Sequence, residues 1–188
     1  MEAVLKREII LNKTACRIIG VSVFVILISL GAFVRIPLPF SPVPITLQTL
    51  FVLLSAACLG SNLGLITQLS YILLGVSGLP IFTGAGSGLF YLLGPTGGYI
   101  FGFVLAGFLV GRFIKYSRNN LFLIFGILSL GDLIILCSGI IWLKILLGYT
   151  WVKLLFIGFI PFIPGDLLKA FVASILYLKL NSRLKEVF

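Results

Sequence analysis

Residues 15–34 read ACRIIGVSVFVILISLGAFV, twenty positions with a single charge, Arg17, close to the start. Wound as an α-helix at 1.5 Å per residue, the segment reaches about 30 Å, the thickness of a bilayer's hydrocarbon core. It is apolar on every side, so it has no face to turn toward water. That decides the solvent. Backbone amides and carbonyls within lipid must be paired inside the segment itself or in a closed barrel. Strict alternation of apolar and polar residues is absent, and the run is twice the length of a barrel strand. The segment therefore reads as a spanning helix.

The rest of the chain repeats the pattern. Of 188 residues, 60% are hydrophobic and 10% charged, and the mean hydropathy is +1.24. Breaking the sequence at proline, glycine and charge clusters predicts further helices over about 45–59, 63–78, 97–113 and 121–147. A last apolar region, 152–180, is interrupted by Pro161, Pro164 and Gly165. It reads as a short outer segment, a break, and a sixth helix over 166–180. The expectation is one all-α integral membrane domain over residues 1–188, a compact bundle of six transmembrane helices. The charged start, MEAVLKREIILNKTAC, leads directly into the first span, with no cleavable signal evident.

The formal net charge is +9, yet the basic residues sit at the ends of apolar runs rather than among aromatics on one stripe. That placement argues against nucleic acid and for lipid. With a cytoplasmic N-terminus, the inner face receives Lys6, Arg7, Lys13, Arg17, Arg112, Lys115, Arg118, Lys179, Arg183 and Lys185, leaving Arg35, Lys144, Lys153 and Lys169 outside. This bias places both termini in the cytoplasm. The outer connections are then the unusual ones: RIPLPFSPVP (35–44), SGLPIFTGAGSGLFYLLGPT (77–96) and IPFIPGD (160–166). Irregular backbone at membrane depth belongs where it lines a cavity, although ordinary loops would share the composition.

Few residues can carry chemistry. There is no histidine, so no nucleophile–base arrangement or metal cluster can be assembled. Cys16, Cys58 and Cys137 lie inside apolar runs without a CxxC pair and read as packing residues. The glycine runs GAGSG and GPTGG are not followed by GK[ST] and are no phosphate loop. Neither enzyme activity nor a cofactor is expected, and ATP hydrolysis would need other subunits. Asp166 and Lys169 stand three apart on one helix face near a proline-broken end. Ionisable groups in a membrane are functional candidates: Lys169 could take a carboxylate and Asp166 N–H donors, or the two could satisfy one another as a structural pair. Asp166 could also cap its helix. Asp132, mid-helix, has no evident counter-ion. Gln48 offers an amide to a ligand or to a neighbouring helix. Cys16 with Gly20, and Gly60 with Gly64, have the spacing that lets helices approach closely.

Four segments carry a resemblance: VPITLQTLFVLL (43–54), LGVSGLPIF (74–82), GPTGGYIFGF (94–103) and PFIPGDLLKA (161–170). In order and spacing they resemble the BioY family, the biotin-specific substrate-capture (S) components of energy-coupling-factor (ECF) transporters. The resemblance spans nearly the whole chain. It implies a six-helix bundle in a bacterial plasma membrane, binding biotin near the outer face. It also implies Asp166 and Lys169 serving biotin's polar ends, with Thr83, Gly84 and Tyr99 beside the pocket and Gln48 as a lesser contact. The loop 36–44, with Pro39 and Phe40, would be its lid. Expected partners are biotin, membrane lipid, a transmembrane coupling subunit and two ATPase subunits. Family members often carry alanine-rich spacing on helix 1 for docking that coupling subunit; here Cys16 and Gly20 stand at the spacing instead. The rival readings are an S component for another vitamin and a stand-alone facilitator, which should show a polar stripe through several helices.

Overall fold

A computed structural model describes residues 13–184; Lys6, Arg7 and Lys185 lie outside the described residues. The first helix, α1 (Lys13–Phe33), buries Phe24, Val25, Ile28, Gly31 and Ala32, a stripe at helical spacing. Ile18, Ile19, Val23, Ile26 and Leu30 on its other faces are exposed. Large apolar side chains pointing outward recur all round the molecule, up to Phe90 at 89% and Phe122 at 83% exposed. No water-soluble surface is built this way. Among the described residues, five helical stretches are long and apolar enough to cross a membrane.

After α1 the chain forms strand β1 (Arg35–Ile36), which pairs antiparallel with β2 (Ile45–Thr46) and pins the two ends of the proline-rich loop together. The next helix, α2 (Gln48–Val76), turns back on itself at Gly60, where φ is 80° and ψ −178°. That conformation is essentially confined to glycine. Gln68 Nε2 donates to Ser55 Oγ at 2.9 Å, whereas thirteen residues of straight helix would part them by about 20 Å. The two arms of α2 therefore run antiparallel. Helix 2 was expected to start at residue 45; Ile45 and Thr46 are strand instead, because their backbone groups pair with β1.

A single turn, α3 (Leu89–Leu92), precedes α4 (Gly97–Phe113), and a 3₁₀ turn (Ile114–Ser117) leads to α5 (Leu121–Leu147). Asn120 caps α5, its side chain accepting from the amides of Phe122 (2.9 Å) and Leu123 (3.2 Å). Asn120→Ala is expected to lower stability by about 1 kcal/mol, read as a small fall in the detergent melting temperature. The chain ends with α6 (Trp151–Gly158), a 3₁₀ turn (Ile160–Phe162) and α7 (Ile163–Leu184). The last helix begins three residues before the expected Asp166. Pro164 is its second residue, a position where the missing N–H had no helical partner to lose.

Glycines set the packing. Gly107 and Gly111 of α4 lie against Gly64 and Gly60 of α2, where an added Cβ on Gly111 would come within 2.4 Å of backbone atoms. Gly98 and Gly102 face α5 in the same way. Gly64 is buried against Ala56 and Gly107, whereas Gly60 is half-buried at the turn, with open space where a side chain would stand. α2 packs against α1, α4 and α7, and α5 packs against α4 and α7. The turn at Gly60, the basic turn 114–118 and Asn181 share one end of the bundle around a cavity of about 520 Å³. The three irregular segments share the other.

Candidate functional site

At that other end the site is assembled from four stretches of chain. The first is α7, whose opening turn carries Asp166. Lys169, one turn on, reaches back to it with Nζ 2.6 Å from Oδ1. Both residues are buried, at 5% and 8% exposed. Lys169 Nζ also donates to the Thr46 carbonyl oxygen at 2.9 Å, and Thr49 Oγ1 donates to Asp166 Oδ1 at 3.4 Å. Asp166 stands inside the first turn of a helix that begins at Ile163 rather than at its cap, and its Oδ1 takes both contacts. The paired charges touch each other, so they form one polar point in the wall rather than two separate ones.

The second stretch is the start of α2. Gln48 is 4% exposed, and its amide is held at both ends. Nε2 donates to Tyr71 Oη at 2.7 Å, while Thr83 Oγ1 donates to Oε1 at 3.0 Å. The third is the loop between α2 and α4, nailed down by Phe82. Its ring is fully buried, edge-on to Tyr71 at 5.5 Å and stacked on Tyr91 at 4.9 Å. It fills the space a side chain on Gly75 would need, since a Cβ there would lie 2.1 Å from the ring. Tyr71 Oη donates to the Ile81 carbonyl and Tyr91 Oη to that of Thr83. Thr83 is thereby fixed from both sides beside Gln48.

The fourth is the start of α4, where Tyr99 Oη donates to the Gly158 carbonyl at 2.6 Å. Its ring packs into a gap that exists because residue 139 is glycine. Gln48, Thr83, Tyr99, Asp166 and Lys169 all line one cavity, with Val43 and Pro44 of the proline-rich loop over it and Ile100, Phe103, Ile135 and Phe162 as apolar wall. The cavity measures about 50 Å³, room for water but far below the 300 Å³ or more of a small-molecule site.

Other expected site residues lie elsewhere. Gly84 does not line the cavity. Its φ of +76° makes a turn against which the Arg35 guanidinium packs, 2.5 Å from where a Cβ would stand. Pro39 and Phe40 are exposed on the outside of the loop, so the residues that face the cavity from it are Val43 and Pro44. Cys16 and Gly20 are half-buried on α1, away from the cavity. Lys144 donates to the Tyr149 carbonyl at 2.7 Å and lies over the Trp151 ring, an arrangement that closes the end of α5. The sequence reading missed Thr46, Thr49, Tyr71 and Thr96. Thr46 and Thr49 flank Gln48 in a motif already singled out; Tyr71 gives no signal, being one aromatic in an apolar run.

Residues 6–186 match the BioY family. The chain is 39% identical over 166 residues to the biotin transporter BioY of Thermotoga maritima, covering 88% of this chain and 95% of that one. It is 38% identical to the probable biotin transporter BioY of Pyrococcus horikoshii, covering 83% and 90%. Its fold is similar to that in the crystal structure of the S-component for biotin from an ECF-type ABC transporter, with a TM-score of 0.86 at 29% identity, covering 92% of this chain and 94% of that one.

Proposed function

The chain belongs to the BioY family, and on that premise we propose that it is the biotin-capturing S component of an ECF-type transporter. It acts as a transport subunit rather than an enzyme. The observation that carries this reading is the buried Asp166–Lys169 pair, held at 2.6 Å in the wall of a cavity beside Gln48 and Thr83.

The chemistry of that pair suits one end of biotin in particular. A ureido group presents a carbonyl acceptor next to N–H donors. Lys169 can donate to the first while Asp166 accepts from the second, and neither loses its neighbour. A ligand carboxylate placed there would instead meet the Asp166 carboxylate. The bicyclic ring and aliphatic chain fit the apolar wall of Ile100, Phe103, Ile135 and Phe162. At about 50 Å³ the cavity is closed, so capture requires the segment 37–44 to swing outward. Its ends are held by the β1–β2 pairing, and its Ser41 hydroxyl donates to the Ile157 carbonyl. The loop is thus a lid, moving as a unit about the β1–β2 pairing.

The two arms of α2, with α1, α4, α5 and α7, make six crossings of a bacterial plasma membrane. The basic end, with Lys115 and Arg118, faces the cytoplasm together with both termini, and the biotin cavity faces outward. Delivery inward depends on a transmembrane coupling subunit and two ATPase subunits, with Cys16 and Gly20 on α1 as the docking stripe.

Radiolabelled biotin bound to the detergent-solubilised chain should be displaced by unlabelled biotin and not by riboflavin, thiamine or folate. Displacement by one of those vitamins, with biotin ineffective, would assign the chain to another ligand.

A further inference from the structure

One buried charge is left over beside this cavity. Asp132 of α5 is 4% exposed, and neither of its carboxylate oxygens has a hydrogen-bond partner among the described residues. The Ser129 hydroxyl, one turn earlier on the same face, is likewise buried and unpartnered. Both residues line a second cavity of about 140 Å³ between α5 and α7, and Asp166 lines it with them. Leu136 and Asp166 border both cavities, so the two adjoin.

The charges do not balance. Asp166 and Lys169 cancel one another, and an ionised Asp132 would add an uncompensated negative charge in the interior of a membrane protein. Such a charge is strongly unfavourable without a partner. The elements packed around it supply no cation beyond Lys169, which is already paired with Asp166. Beside Asp132, Gly131 meets Leu53 of α2 and Ala106 and Val110 of α4, all apolar. On α7 the facing ionisable groups are Asp166 and Lys169 themselves. The α6 lysine, Lys153, holds its ammonium 3.5 Å over the Tyr149 ring. The unpartnered atoms are all oxygens, a donor set for a hard cation. Among the described residues no group of three His, Cys, Asp or Glu comes together as a metal centre of higher charge would need. One positive charge completes the balance, and the cavity has room for an ion with water.

We propose that Asp132 and Ser129 hold one monovalent cation, a metal ion such as sodium or a proton, and that its presence strengthens capture of the biotin anion in the adjoining cavity. The inference rests on the biotin reading above. The direction follows from charge: an empty site leaves a net negative environment that repels the ligand's carboxylate, and an occupied one is neutral. Linkage makes the effect reciprocal. For two unit charges of order 10 Å apart at an effective dielectric of about 20, the expected change is roughly tenfold in affinity.

The test is biotin affinity by calorimetry, at constant ionic strength, in two series. One replaces N-methylglucamine with sodium at alkaline pH; the other lowers pH toward neutral without sodium, a range in which biotin's carboxylate stays ionised. A roughly tenfold gain in the first series alone identifies a metal ion, and in the second alone a proton. Biotin methyl ester, which has no charge, should bind equally with and without the cation. Asp132→Asn should bind biotin at the cation-saturated affinity in every buffer. Should that variant fail to fold, Ser129→Ala, which removes one donor, should need a higher cation concentration for the same gain. Biotin binding that ignores both sodium and pH, or a response that persists in Asp132→Asn, would overturn the proposal. No biotin binding in any buffer would instead overturn the biotin reading on which it stands.

Discussion

Replacing Lys169 with alanine is expected to weaken biotin binding by a hundredfold or more, with the protein still folded in detergent. Two effects add. The ligand loses a hydrogen bond to a charged donor, worth about 1.5–3 kcal/mol. In addition, Asp166 is left buried at 5% exposed with Thr49 as its remaining hydrogen-bond partner among the described residues, so its lone charge must be rehydrated where the ring system should lie. Asp166→Asn should cost less, because the amide keeps an acceptor for a ureido N–H while removing the ion pair; a loss of about tenfold is expected. If the pair reads the ureido group, the methyl ester also loses affinity in Lys169→Ala, and biotin loses about tenfold more, because the uncancelled Asp166 charge repels its carboxylate. Calorimetric titration of the three proteins with both ligands measures this. Unchanged binding in both variants would make the Asp166–Lys169 contact a structural ion pair, and the search would pass to Gln48, Thr83 and Tyr99.

The second large effect concerns the fold. Gly111→Ala is expected to lower the melting temperature by about 5–10 °C, and Gly126→Ala to leave it unchanged or raise it slightly. The substitutions are chemically identical and both fall in helices. At Gly111 the new Cβ would stand 2.4 Å from the Gly60 carbonyl carbon and the Ser61 amide nitrogen. Those are backbone atoms at the turn of α2, unable to rotate aside, so α4 must move away from the hairpin. Overpacking of this kind costs about 1–3 kcal/mol, a few degrees per kcal/mol for a chain of this size. At Gly126 nothing lies within 4 Å, and alanine gains up to about 1 kcal/mol in helix propensity over glycine. Detergent melting of both variants beside the parent reads the difference. Equal melting temperatures would mean that α2 and α4 do not meet through Gly60 and Gly111.

Much of the architecture was legible in the residues because a bilayer imposes such a plain rule. Long apolar runs must be helices, and α1, α4 and α5 lie within a few residues of where those runs suggest. Pro161 and Pro164 look like a break, and a break is there: α6 stops at Gly158, Pro161 sits in a 3₁₀ turn and Pro164 in the first turn of α7, where proline starts a helix. The short strands escaped notice since Arg35–Ile36 and Ile45–Thr46 have no alternation to detect; it is pairing across the loop that makes them strands.

At the site, Asp166 and Lys169 were visible through their rarity and spacing, and the structure brings Gln48, Thr83 and Tyr99 to the same cavity. Gly84 was drawn in by its neighbours in the motif, but its positive φ serves the turn under Arg35. Tyr71 and Thr49 were illegible for a different reason. Each matters through a partner 23 or 117 residues distant, and no local pattern records such a meeting. The same holds for Asp132, whose lack of a counter-ion was evident early while the cavity it shares with Asp166 was not.

The most direct test of the account is a structure determined with biotin bound. Its ureido group should lie between Lys169 and Asp166, with the ring and chain against Ile100, Phe103 and Phe162 and the segment 37–44 closed above. Biotin found instead at the opposite end of the bundle, in the basic cavity beside Gly60 and Arg118, would contradict it.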